Sequence, residues 1–261
     1  MDDVAVAIEA ALAGAAVVRR RFGTTLRRVS KGAGDFATEA DHEAEAAILA
    51  VLRRERPADA ILAEESGRSG PGTSERTWLI DPLCGTLNYA AGMRVVAVNV
   101  ALGRGAGHLV AAVADPFAEE LFWSDGESAF RRAGSQHALL APDASSRLVE
   151  LNVDPPFPNA AWFRAAKLAA DVDFAAAFRL RVVSSSIALT WVATGQRAAY
   201  VTDGDVRESV HFTAGIAICE AAGCLVTDLR GRPWRDGAAG LVAAADAETH
   251  DRLLALVRRG G

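Results

Sequence analysis

The chain has 261 residues, 51% of them apolar and 23% charged, with a formal net charge of −5. That much apolar matter supports a sizeable core, excludes a disordered chain, and suits one large domain or two smaller ones. The charges are scattered without a basic stripe, which argues against a nucleic-acid surface, and no apolar run reaches the roughly 18 residues a membrane span needs.

Residues 4–20 are Ala-rich with apolar positions at helical spacing and predict a first helix, closed by basic residues. A second helix is expected over 41–54, with Asp41 at its start, where a carboxylate suits unpaired N–H groups. Short strands are expected at 60–63, 78–81, 95–102 and 109–115, and a hairpin at 120–123 and 129–132. The polar segment 135–147 is read as a boundary between two halves, 1–140 and 141–261, with an active site between them. Beyond it, strands at 148–153, 179–183, 198–202, 224–228 and 240–244 alternate with helices at 161–172, 185–194, 209–222 and 247–258. Strand runs followed by alternation imply a layered α/β fold.

The opening Met1, Asp2 and Asp3 show no basic-then-apolar leader, so no signal peptide is expected and the protein is read as cytoplasmic. The three cysteines, Cys84, Cys219 and Cys224, lack the spacing of a disulfide framework or a zinc knuckle. Cys219 and Cys224 read as packed core thiols. His42, His108, His137 and His250 read as solvated. Lys31 reads as a surface charge.

Five stretches then line up in order: Ala37 to Asp41, Ala63 to Ser66, Asp81-Pro82-Leu83-Cys84-Gly85-Thr86-Leu87-Asn88, Ser186 to Gly195, and Val210 to Gly223. Together they resemble the inositol monophosphatase superfamily over nearly the whole chain. The resemblance implies a layered αβαβα sandwich, a homodimer, and Mg²⁺ held by a cluster of carboxylates. Glu64, Asp81 and Asp41 match three of those carboxylates, and Lys31 stands where the family often has a Lys near the outer metal. Two others are replaced: Cys84 stands where the main signature has its second Asp, and His211 stands where the second signature has its Asp.

In the family both lost carboxylates ligate one ion, so Cys84 and His211 are expected to lie together. A thiol beside an imidazole is the arrangement that activates a cysteine nucleophile. Gly85 and Thr86 follow at a helix start, where N–H groups that hold phosphate in the family would serve as an oxyanion hole. Asp115 is chosen as the acid orienting His211, with Asp81, Asp203 and Asp205 as rivals. This pattern resembles the Dieckmann cyclases of tetramic acid and pyridone biosynthesis, which use a Cys–His–Asp triad. The resemblance implies chain release in antibiotic biosynthesis from a peptidyl carrier protein of a polyketide–nonribosomal peptide assembly line, through a Cys84 acyl-enzyme and with no cofactor. The alternatives are a Mg²⁺-dependent phosphatase, a thioesterase using the same triad, a zinc-type site at Cys84 and His211, and a non-catalytic scaffold.

Overall fold

The Ala-rich opening folds as helix α1 (Asp3–Arg21), capped by Asp2, whose carboxylate accepts the Ala5 N–H at 2.7 Å. The computed structural model describes residues 1–25, 27–32, 35–71, 74–104, 110–153, 162–236 and 239–260. A hairpin that the sequence pattern missed, β1 (Arg28–Gly32) and β2 (Asp35–Thr38), leads into α2 (Glu39–Glu55). The start of α2 is a capping box. The Ala40 N–H donates to the Thr38 hydroxyl, and the Thr38 N–H donates to Asp41 at 2.8 Å.

Next come β3 (Ala60–Ala63), β4 (Gly67–Ser69), β5 (Arg76–Cys84), the single-turn α3 (Thr86–Ala90), β6 (Ala97–Arg104), β7 (Val110–Asp115), β8 (Glu120–Ser124), β9 (Ala129–Ala133) and β10 (Gln136–Leu139). These strands form an eight-stranded sheet in the order β10-β9-β8-β7-β6-β5-β3-β4. β5 runs parallel to β3 and antiparallel to β6. Val6, Ala10, Val18, Ile48 and Leu52 of the two helices pack with Trp78, Ile80, Val98 and Val100 of the sheet, all at most 1% exposed. β10 lies within the segment expected to be a boundary; all four of its residues are exposed, so it carries no apolar alternation.

The remaining elements are β11 (Leu148–Asn152), α4 (Val172–Ala177), β12 (Arg179–Val182), α5 (Ile187–Ala193), β13 (Ala199–Thr202), α6 (Thr213–Ala222), β14 (Leu225–Thr227), β15 (Leu241–Ala244) and α7 (Ala247–Gly260). Five strands pair in the order β12-β11-β13-β15-β14, with β11 parallel to both its neighbours. Phe163, Phe174, Val149, Val201 and Leu253 belong to the core beneath them. The helix expected over 161–172 is instead a 3-10 segment, Ala165–Ala170, followed by α4. Asp171 divides them by accepting the N–H groups of Asp173 and Phe174, which starts a new helix at that point. The first positions of the predicted elements at 109 and 161, and His108, lie outside the described residues, as does the Lys31 side chain.

The chain divides into two compact units. The first comprises Met1–Leu139, Ser185–Ile187 and Val210–Ile218, and the second the remainder. His211 therefore belongs to the first unit, with Cys84 and Asp115, and not to a contiguous 141–261 half as expected. Mixed sheets and helices in both units match the α/β class. Among the described residues, no helix is long and apolar enough to cross a membrane.

Candidate active site

Pro82 sets the geometry of the centre. It has no N–H to give to the ladder, and the pairing of β5 with β6 slips between Asp81, opposite Asn99, and Cys84, opposite Ala97. Three positions along a regular strand put two side chains on opposite faces. The extra residue of the bulge returns Asp81 and Cys84 to one face.

Asp81 is fully buried and accepts the Leu83 N–H at 3.0 Å. His211, just ahead of α6, places its Nδ1 2.7 Å from Asp81 Oδ2. The Cys84 thiol hydrogen-bonds His211 and accepts the Ser186 N–H at 3.2 Å. Asp81, Cys84 and His211 bring one metal-ligating atom each within 4.8 Å of one another. The His211 side chain keeps 26% exposure, whereas that of Asp81 has none.

The electrostatics follow from this packing. Burial alone pushes the Asp81 carboxyl up, but the His211 ring, Glu64 and the Leu83 N–H outweigh it and hold the group below its ordinary value. Burial pushes His211 down, yet the Asp81 carboxylate carries it well above the ordinary imidazole value. Burial and the Asp81 charge push the Cys84 thiol up, against hydrogen bonds from His211 and Ser186. The Cys84 thiol thus lies above its ordinary value, unlike an exposed thiol at a long helix start.

The other expected residues fall as follows. Glu64 continues β3 alongside β5, its N–H donating to the Ile80 carbonyl at 3.1 Å, and its carboxyl hydrogen-bonds Asp81. Asp41 is part of the capping box, and its Oδ1 lies 2.9 Å from the Thr86 hydroxyl. Gly85 adopts φ 104°, a left-handed conformation that glycine takes without strain, and caps α3. With only Thr86–Ala90 behind it, α3 is one turn long, and Gly85 and Thr86, whose N–H groups were expected to form an oxyanion hole, stand at its start.

Asp115 is a correction. Its carboxylate accepts the N–H groups of Phe117 and Ala118 at 2.8 and 2.9 Å and closes the turn between β7 and β8. The carboxylate on His211 Nδ1 is that of Asp81. The two other rivals are held elsewhere, Asp205 by Arg207 and Asp203 by Arg164. His250, expected in solvent, is 5% exposed and pairs through Nε2 with the Thr227 hydroxyl at 2.8 Å.

Sequence reasoning missed the residues that hold Cys84. The Ser185 hydroxyl donates to the Cys84 carbonyl at 3.0 Å, and the Asn99 amide donates to the Ser186 hydroxyl at 2.8 Å. Small polar residues 87 positions apart leave no local pattern to find.

Residues 1–261 match the family described as the inositol monophosphatase family. The chain is 30% identical over 258 residues to an inositol-1-monophosphatase of Caulobacter vibrioides, covering 96% of this chain and 99% of that one. It is 30% identical over 271 residues to a fructose-1,6-bisphosphatase/inositol-1-monophosphatase of Aquifex aeolicus, covering 96% and 93%. The solved inositol monophosphatase of Anabaena (Nostoc) superposes with a TM-score of 0.77 at 27% identity, covering 99% and 96%.

These matches overturn the chemistry expected from the triad. The relatives carry the names of small-molecule phosphatases, so the Dieckmann cyclase, its tetramic acid product and the peptidyl carrier protein partner find no support. The expected absence of a cofactor is overturned as well, because the family is Mg²⁺-dependent.

Proposed function

Because the chain belongs to the inositol monophosphatase family, we propose that it hydrolyses a phosphate monoester of a small molecule at the cluster of Glu64, Asp81, Cys84 and His211. The observation that carries this reading is the pairing of Glu64 with Asp81. Two carboxyls at neighbouring strand ends hydrogen-bond each other, in a chain similar to phosphatases over 96% of its length.

Hydrolysis joins a water oxygen to phosphorus and breaks the bond to the alcohol oxygen. One proton must leave the water and one must reach the alcohol. Glu64 and Asp81 hydrogen-bond with one proton between them, so Glu64 is placed to give that proton to the leaving alcohol and to take one from the water in exchange. Asp81 is itself fixed by the Leu83 N–H and by His211. Asp41, through the Thr86 hydroxyl, fixes the turn that follows Cys84.

In the family, magnesium supplies charge neutralisation and a more acidic bound water. Magnesium requires oxygen ligands in a near-ideal octahedron. Cys84 and His211 offer sulfur and nitrogen at two of the places where the family has oxygen, so this donor set does not fit magnesium.

A second reading is favoured by the line of thiol, imidazole and carboxylate from Cys84 through His211 to Asp81. These groups suit hydrolysis of a small-molecule thioester or ester. Cys84 would attack the carbonyl, His211 would pass the thiol proton to the leaving group, and water would release the acyl group.

One assay separates the two. The protein is given small phosphate monoesters with Mg²⁺ or Zn²⁺, followed as inorganic phosphate, and a short acyl thioester, followed as free thiol. Phosphate release is the expected result. Thiol release that disappears in Cys84→Ser, with no phosphate from any ester, would overturn the first reading in favour of the second.

A further inference from the structure

We propose that Asp81, Cys84 and His211 form a site for a divalent ion of the zinc class in place of magnesium. The inference deepens the phosphatase reading and rests on it for its chemistry, but the metal site stands on its own geometry.

The donor set points to the ion. Thiolate and imidazole are ligands that zinc and its neighbours accept readily, whereas magnesium favours oxygen alone. Zinc binds sulfur at about 2.3 Å and nitrogen or oxygen at about 2.0–2.2 Å, so two ligands of its tetrahedron stand about 3.3–3.7 Å apart. The three ligating atoms already lie within 4.8 Å of one another, and small side-chain movements close the set. Three protein ligands with one open position are the pattern of catalytic zinc centres.

The supporting contacts agree. A metal-bound thiolate gains from an N–H donor, and Ser186 supplies one at 3.2 Å. The Asp81 carboxylate is steadied by the Leu83 N–H and Glu64. Charge is matched too. A thiolate, a carboxylate and a neutral imidazole sum to the opposite of one divalent ion, which leaves a neutral centre that an anionic phosphate approaches without repulsion.

The test uses cobalt(II) as a spectroscopic stand-in for zinc, titrated into chelator-treated full-length protein. The expected result is a near-ultraviolet sulfur-to-cobalt band with the strong visible bands of a four-coordinate ion. Zinc should erase both at equimolar addition, and magnesium in large excess should leave them. Cys84→Ser should abolish the sulfur band. His211→Gln should weaken cobalt binding by more than the roughly 10–100-fold lost with a supporting group. Should these variants misfold, Cys84→Asp combined with His211→Asp restores the oxygen set and should bind magnesium more tightly than the wild type. Cobalt bound without a sulfur band, or displaced by magnesium, overturns the proposal. A sulfur-ligated cobalt site in a protein that releases no phosphate would sink the phosphatase reading alone. Magnesium-supported phosphate release without a sulfur band would sink the zinc proposal alone.

Discussion

His211 Nδ1 lies 2.7 Å from Asp81 Oδ2 although 130 positions separate the two residues. The contact joins the end of β5 to the segment ahead of α6 and fixes the ring beside Cys84. Asp81→Asn keeps the shape of the side chain but removes the charge. Turnover is expected to fall by about 10²–10⁴-fold, the range lost when a catalytic carboxylate or its hydrogen-bonded partner is disabled. Steady-state kinetics beside a thermal melt test this, and an unchanged rate in a folded variant would contradict it.

Asp115→Ala gives the opposite outcome. The variant loses a turn cap on the Phe117 and Ala118 N–H groups, for about 1 kcal/mol of stability. Its turnover should stay within a few-fold of wild type. A large loss of turnover without a loss of stability would restore Asp115 to the site.

The contrast between Asp81 and Asp115 shows what could be read beforehand. The signature around Cys84, the first two helices and the pairing of Cys84 with His211 were all legible. The orienting acid was not, because residues 81 and 84 of an unbroken strand face opposite ways. Only the slip at Pro82 puts Asp81 on the side of the thiol. The hairpin at Arg28–Gly32 and Asp35–Thr38 and the exposed strand Gln136–Leu139 escaped because neither shows a clean apolar alternation. His250 was misjudged because its partner, Thr227, lies on a different element.

Away from the site, Asp59 binds the buried Trp78 indole N–H at 2.8 Å and the Arg76 guanidinium at 2.8 Å. Asp59→Ala leaves both donors without that carboxylate. A loss of about 2–4 kcal/mol is expected, read from urea unfolding. A loss below 1 kcal/mol, taken as roughly the value of one ordinary hydrogen bond, would mean that the pairing is unimportant.

Acid stability has a defined source in Asp3. Hydrogen bonds from Arg76, opposed by burial and helped by Arg56, hold its carboxyl down to about 2 from an ordinary 3.8. A folded-state value below the unfolded one contributes stability that is whole above the unfolded value and is lost as pH falls through the folded one. The contribution is therefore complete above pH 3.8 and fades toward about 2. Asp3→Asn should flatten the fall in melting temperature across that window, and an unchanged acid limb would assign the effect elsewhere.

The most direct measurement is phosphate release from inositol monophosphate and fructose 1,6-bisphosphate, the compounds named by the relatives, in wild type and Glu64→Gln. Wild type should release phosphate, and the folded variant should be slower by about 10²–10⁴-fold, the contribution of a general base. No release from either compound with magnesium or zinc, or equal rates in the two proteins, would contradict the assignment.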